Sequence, residues 1–552
     1  MDAPEGWRRR GSRRSVLSRI GAAVTVGLAG CVTADENETR ADSEGADDEA
    51  IALVERGLEA ADVDPPVETT IYANVENDER VRWAQLVQQE LNETGLFDVS
   101  FEQLEWGQYQ DLCFSMADSE ENALITLDVS GGWDPHTYLE PLFHSEKAAP
   151  DGLNFNRFTN ERVDELLETG LAESDETRRR ELYEELQEEL VRRTPVSVVR
   201  FGESATVYRR DVVDDWRNYP LPGSEYESVF APYAETAASI SNTDRLVGDA
   251  IASISNTDPV QMHDTTSNMA TTLLYEGLVG VDFDGAPRPQ LATDWERLDE
   301  TTYRFDLRSG VTFHNGESLT AEHVQFSLER YEGTPREADV FEWLDGVDVL
   351  DDSTLEISLT EPYGPFETSV DVPVVPLAAG EDGDVDLAET PVGTGPYQFD
   401  GQSAGEYWDL ERFDDHWAVD ADEVTLDTPP VETIRLRVLT DAAARQAALE
   451  AGEIDVATGL TAESVDQLAS DETYGVERTV AGQYDFLVYP TYLEPFDEVD
   501  VRRGIDRLLP RDRIVETVYA GAGTVAYTPV PPLLESFLDP AFEAYIADEY
   551  YG

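Results

Sequence analysis

The chain has 552 residues, with 116 Asp and Glu against 39 Lys and Arg, and its formal charge of −77 is spread along the whole length, which argues against nucleic acid as a partner. Apolar residues make up 41%, with 9 Trp, 23 Tyr and 20 Phe, which excludes an acidic disordered chain and points to two or three cored domains. Self-repulsion of this size is screened at molar salt, where the Debye length falls to ~3 Å, so the composition predicts a hypersaline habitat.

At the N-terminus, Arg8 to Arg10 and Arg13-Arg14 form a basic head, Ile20 to Gly30 form a run of apolar and small residues, and Leu28-Ala-Gly-Cys31 follows. The run is too short to span a ~30 Å hydrocarbon core as a helix and has the layout of a secretion signal. Ser12-Arg13-Arg14-Ser15-Val16-Leu17 resembles a twin-arginine signal and Leu-Ala-Gly-Cys resembles a lipobox. Residues 1–31 are therefore expected to direct export of the folded chain, with Cys31 lipidated at the extracytoplasmic face of the membrane. Residues 32–49, rich in Asp, Glu, Thr, Ser and Ala, are expected to be a disordered acidic tether. With Cys31 lipidated no intramolecular disulfide remains, and Cys113 reads as a small core residue.

Past the tether, Ile51, Val54, Leu58 and Ala61 predict one buried helical face, with Asp47 or Asp48 as cap. Thr69 to Val75 reads as a strand, and Trp83, Val87 and Leu91 as a helix stopped at Gly95. Leu182, Leu186 and Leu190 mark a helix ending before Pro195, and Val196 to Phe201 a strand, so this part alternates α and β. Later, Thr302 to Leu307 and Val311 to His314 read as short strands around Arg308-Ser309-Gly310, with Asn315-Gly316 as a turn. Thr320 caps a helix running to about Arg330, and a helix from Asp441 to Ala451 stops at Gly452 before a strand, Glu453 to Val456. Ala238-Ser-Ile-Ser-Asn-Thr-Asp244 recurs as Ala252 to Asp258.

The chain has no His-Glu-x-x-His, Gly-x-Ser-x-Gly, P-loop or Cys-x-x-Cys pattern, and its six histidines are scattered. Neither catalytic residues nor a metal site is expected, and the reading is of a protein that is not an enzyme.

Leu291-Ala-Thr-Asp-Trp295, Tyr303 to Gly316 and Leu319 to Arg330 resemble the signature of dipeptide and oligopeptide solute-binding proteins of ABC importers, extracellular solute-binding protein family 5. Supporting matches are Asp258-Pro259, Leu274-Tyr-Glu-Gly-Leu278, Pro391 to Tyr397, Ala451-Gly-Glu-Ile-Asp455 and Pro495 to Arg502. The order departs from the family. Residues from about Ala50 to Tyr233, including Gly131-Gly-Trp-Asp134-Pro135 and Asn160 to Leu167, resemble its C-terminal third, whereas Leu246 to Gly552 resembles its first two thirds. The chain thus resembles a circularly permuted member, joined through Glu235 to Leu246, with the short repeat astride the joint and Gly552 expected near Glu49.

The resemblance implies an α/β fold: a bilobal periplasmic-binding-protein-like type II fold with an extra domain, circularly permuted. Residues 50–190 plus 481–552 would form the ligand-binding lobe, 191–270 plus 391–480 the hinge-bearing lobe, and 271–390 the additional domain. It implies no cofactor, a monomer, and capture of a peptide or similar small solute by lobe closure for delivery to an ABC permease. Nickel or metal-chelate binding, an extracellular sensor and a hydrolase are the alternatives.

Peptide-binding relatives place a carboxylate against the ligand's ammonium group, and alignment on Asp134-Pro135 puts Gly131 there. Asp128 or Asp134 is then left to supply the charge, although Asp134 also suits a turn before Pro135. Gly132 and Trp133 belong to the same candidate site, with Trp133 placed to stack on a ligand or to pack. His263, Asp264 and Thr265, and Gln483, Tyr484 and Phe486, are further candidates from matching segments.

Overall fold

β-branched and aromatic residues carry the strands Val67–Asn74 (β1), Phe97–Leu104 (β2), Ala123–Ser130 (β3), Val196–Arg209 (β4) and Tyr474–Val488 (β5) in the computed structural model. The structure describes residues 36–119, 121–231, 238–241, 243–262, 264–380, 383, 385–419, 429–534, 537, 540–547 and 550. Arg13, Arg14, Cys31, His263 and Gly552 lie outside them. The chain separates into two units at Asp48, and the sheets and the candidate site lie in the second, residues 49–552.

The five strands form one mixed sheet in the order β4, β5, β3, β1, β2, with Val456–Ala457 and Thr524–Val525 paired to the outer edge of β4. β1 is parallel to β2 and β3, and β5 is antiparallel to both β3 and β4. A strand from near residue 480 therefore sits between two strands from the first 210 residues. Alternation along each strand sends side chains to two cores. Ile71, Leu124, Val199 and Leu487 join one cluster, and Tyr72, Ile125, Val198 and Phe486 the other. Burial on both faces is what a sheet with parallel strands requires.

The helices covering it are Glu36–Ala61 (α1), Asp78–Glu93 (α2), Trp106–Ser119 (α3), His136–Phe143 (α4), Glu161–Ala172 (α5) and Glu176–Arg193 (α6). In α2 the Asn77 side chain caps the Arg80 N–H, and Trp83, Val87 and Leu91 are fully buried. α1 begins at Glu36, so residues 36–48, expected as tether, are helical and no cap forms at Asp47 or Asp48. Their Glu, Ala and Arg content is compatible with a helix. Arg56 and Arg507 pair with Asp500 (2.6 Å) and Glu49 (3.1 Å), tying α1 to the helix Val499–Leu508.

Two four-stranded sheets follow, beside two small two-stranded ones. One takes Ala292–Arg297, Thr302–Leu307, Thr354–Leu359 and Leu344–Asp351 in that order, all antiparallel. The other takes Tyr397–Ser403, Tyr407–Arg412, Thr433–Val438 and Arg245–Ala250, the last pair parallel. Val311 to His314, expected as a strand, makes only the Thr312–Ser318 bridge. Gly316 turns the chain at φ 86°, and His314 is drawn to the backbone of Gly393 and Gly395 instead. Glu453 to Val456 shortens to a strand at Val456–Ala457, with the Asp455 carboxylate accepting from Val247 N–H (2.9 Å). Among the described residues no helix is long and apolar enough to cross a membrane.

Candidate functional site

Strand order reverses at β1, whose two parallel neighbours are reached over opposite sides, so the crevice expected at such a switch point falls at the carboxyl ends of β1 and β3. Asn74 ends β1, and its Oδ1 accepts from buried Arg80 (2.8 Å) in the first turn of α2. Arg80 also pairs with Asp128 near the end of β3, and Gln483 Nε2 donates to the other oxygen of Asp128 (3.2 Å). Asp128 and Gln483 thus meet, but the charge of Asp128 is already balanced. Trp106, 46% exposed and stacked on Tyr109, stands on the same rim, its N–H donated to Glu76 (3.1 Å).

The turn after β3 is built on Gly131 to Pro135. Gly131 N–H donates to Gly482 C=O (3.3 Å), Gly132 N–H to Thr137 Oγ1 (3.0 Å), and Tyr138 Oη–H also to Gly482 C=O (3.2 Å). A Cβ on Gly131 would lie 2.7 Å from Thr137 Oγ1 and 2.8 Å from the Tyr138 ring, so no side chain fits where relatives are expected to carry a carboxylate. Trp133 is buried, its Nε1–H donated to Tyr219 Oη (2.8 Å), which in turn donates to Val281 C=O (3.0 Å). Its ring lies over Gly285, at φ +83°, where a Cβ would stand 2.6 Å from the indole.

Asp134 does not face the crevice. Its oxygens receive Arg179 Nη1 (2.6 Å) and Nη2 (2.9 Å), and Oδ1 also receives the His136 N–H (2.9 Å). Arg179 Nε donates to Gly170 C=O (2.7 Å), and the guanidinium lies 5.2 Å from the Phe537 ring centroid. Burial draws the Arg179 pKa down, but Asp134 outweighs it and holds it above the ordinary value. The neighbouring His136 is pushed down to about 4 by burial, Asp134 opposing.

Tyr484 and Phe486, read as cleft residues, lie in the core beneath, with Tyr484 Oη donating to Tyr138 C=O (3.3 Å). Asp264 caps the helix Thr265–Thr271, accepting from Ser267 N–H (2.8 Å) and Ser255 Oγ (3.0 Å), while Thr265 is exposed. These two sit across residues 220–223 from the first group: Pro220 C=O accepts from Gly482 N–H (3.0 Å), and Gly223 C=O from Asn268 (2.8 Å).

The sequence reading missed Arg80, Arg179, Tyr219 and Asp371. Asp371 is exposed and has no described ion-pair or hydrogen-bond partner. Desolvation, then Glu227 and Glu276, raise its carboxyl well above the usual range, although part of the residue reaches solvent. The Tyr219 phenol is raised for the same reasons, burial first and then Glu227 and Asp371. By contrast Asp282 and Asp284 are each neutralised, by Arg288 (2.6 Å) and Arg217 (2.6 Å). Among the described residues no group of three or more His, Cys, Asp or Glu could hold a metal ion.

β4 and β5 run past this crevice, and their pairing breaks beside it. Val480 opposes Glu203 and Tyr484 opposes Phe201, so Ala481, Gly482 and Gln483 stand against Gly202 alone. The model of bacterial extracellular solute-binding proteins, family 5 Middle, matches residues 286–550. Glutathione-binding protein GsiB of Pectobacterium atrosepticum is 25% identical over 308 residues, 54% of this chain and 58% of that protein. The dipeptide-binding protein of Escherichia coli K12 is 25% identical over 305 residues, 50% and 56% of the two chains. The chain spans about half the length of the curated relatives it matches. Similar solved structures include the periplasmic binding protein DppA from Helicobacter pylori with peptide STSA, at 26% identity, 41% and 49% coverage and TM-score 0.37. NikZ from Campylobacter jejuni with Ni(L-His) is 24% identical, covering 42% and 46%, with TM-score 0.38.

Proposed function

We propose that the chain is an extracytoplasmic, lipid-anchored solute-binding protein that takes up a peptide or similar small solute between two lobes and hands it to an ABC permease. The observation that carries this is the break in two continuous strands. β4 and β5 each run for about fifteen residues, and their register fails only near Gly202 and Ala481 to Gln483 and again at Asp485–Phe486, beside the crevice. Two extended segments interrupted at one level are suited to bending together, which is how hinge closure works. Closure is stabilised when a solute touches both sides at once.

The solute's charge is inferred from Asp371. Asp134 and Asp128 are matched by arginines, whereas Asp371 has no ion pair among the described residues and its carboxyl is raised by desolvation and then by Glu227 and Glu276. A solute carrying an ammonium or other cationic group would relieve that repulsion. The names of the glutathione- and dipeptide-binding relatives support a peptide-like solute. Export by a twin-arginine route, anchoring at Cys31 and a hypersaline habitat belong to the same reading.

Circular permutation also belongs to it. β1 to β4, all before residue 210, complete the sheet through which β5 of the matched segment runs. A chain reordered so that residues 246–547 precede 50–231 should then fold to the same secondary structure and melt, and failure of that chain to fold would count against permutation.

The deciding experiment is a thermal melt at molar salt with glutathione, Ala-Ala and nickel-histidine. A ligand at 100 times its Kd adds about 2.7 kcal/mol to stability. Asp371→Asn should abolish the rise given by a cationic solute. A cooperative melt that none of the three moves overturns the proposal.

A further inference from the structure

The segment Glu361 to Pro365 leaves the strand Thr354–Leu359 and touches the α5–α6 turn, which on the lobe-closure reading belongs to the other side of the cleft. Gly364 N–H donates to Leu171 C=O at 2.6 Å. A Cβ on Gly364 would run into the backbone oxygen of Glu173 and stand 2.6 Å from Arg179 Nε. Arg179 is the residue that grips Asp134 at the base of the turn Gly131 to Pro135. Beside this contact lies an open groove of about 650 Å³, lined by Ala172, Glu173, Ser174, Arg297, Asp299 and Pro362 among others, so the contact is bordered by open space on that side.

We propose that Gly364 and Arg179 form a closure seat, in which arrival of the Gly364 backbone on the end of α5 fixes Arg179 and through it the ligand-facing turn. Gly364 and Arg179 are positioning residues in this account, and the inference rests on the lobe-closure reading above. The physical basis is steric. Backbone carbonyls at the end of α5 need donors, and only a residue without a side chain can bring its N–H to Leu171 while leaving Arg179 in place. Gly364 has no left-handed φ, so a side chain there strains nothing when the seat is empty and acts only when it is filled.

The test compares wild type, Gly364→Val and a control, Gly346→Ala, in the whole exported chain at molar salt. Gly346 has open space around its would-be Cβ and no positive φ. Hydrogen exchange at residue 364, X-ray scattering and melting are measured with and without glutathione and Ala-Ala. Wild type and Gly346→Ala should protect the residue 364 amide. Gly364→Val should lose that protection at least 10-fold, show a larger radius of gyration and keep its ligand-free melting temperature within about 2 °C, and any solute bound should be held at least 10-fold more weakly. Free exchange at residue 364 in wild type, or an unchanged radius and protection in Gly364→Val, overturns the seat. A protected, Val-sensitive amide in a protein that binds no solute supports the seat and defeats the solute-binding reading instead.

Discussion

Asp134→Asn separates a structural from a ligand-binding role for the most prominent carboxylate in the Gly-Gly-Trp-Asp-Pro turn. Asn keeps the shape and still accepts the His136 N–H, but removes the charge facing Arg179. The two side chains are 4% and 5% exposed, so the guanidinium would be left in a nearly dry site with only Gly170 C=O and the weaker Tyr183 contact as acceptors. Removing one partner of a buried pair costs about 3–5 kcal/mol. The neighbouring pair Arg178–Glu181, 54% and 52% exposed, is an internal standard, where Glu181→Gln should cost roughly 0–1 kcal/mol. Urea melts at molar NaCl, with m held common, measure both; guanidinium is avoided because it is itself a salt. Asp134→Leu with Arg179→Met should recover most of the loss, since an apolar pair of similar volume replaces buried ions at little cost. A loss below about 1 kcal/mol for Asp134→Asn, or one matched by Glu181→Gln, would refute the reasoning. So would unchanged stability with weakened solute binding, which is the signature of a carboxylate that touches ligand.

Raising NaCl from 0.1 M to 1 M shortens the Debye length from ~10 Å to ~3 Å, so the urea midpoint of this chain of charge −77 should climb steadily; a flat salt profile would remove the screening argument. His136 has its pKa depressed from an ordinary 6.5 to about 4, and a buried neutral histidine binds fewer protons than the unfolded chain between those values. Its contribution is therefore full above pH 6.5 and falls by about 3 kcal/mol as pH drops to 4; His136→Gln should flatten that limb, and an unaltered pH profile would contradict it. Gly131→Asp installs the carboxylate expected of peptide-binding relatives, but its Cβ meets Thr137 and Tyr138, so urea melts should show a loss of about 1–3 kcal/mol from overpacking. A stable variant with tighter Ala-Ala binding would show that the space exists.

Local patterns carried much of the fold. The Thr302–Leu307 strand and the Ala442–Glu450 helix capped by Asp441 lie where alternation and capping put them. Patterning misplaced what tertiary contacts decide: α1 runs past its expected caps to Glu36, and Val311 to His314 is pulled out of strand pairing by Gly393 and Gly395. In the site, Asp128, Gly131 and Gln483 do come together, though only the resemblance suggested that they would. Period-two alternation in β5 already forbids Gln483 and Tyr484 from sharing a face, and it is Gln483 that reaches Asp128. Arg179 left no local trace, because its partner lies 45 residues back and nothing in the Arg178 to Arg180 run distinguishes its middle member.

The wedge of β5 between β3 and β4 governs how the protein can be made. A ribosome that has finished Ser130 must continue to Val488, roughly 20–70 s at ~5–20 residues per second, before either bare edge finds its neighbour. From Arg209 onward the nascent chain shows two unpaired strand edges, the kind of surface on which other chains add. A stop codon between Arg209 and Tyr474 would release β1 to β4 with both of these edges open, so the early strands are shielded only once β5 has been made.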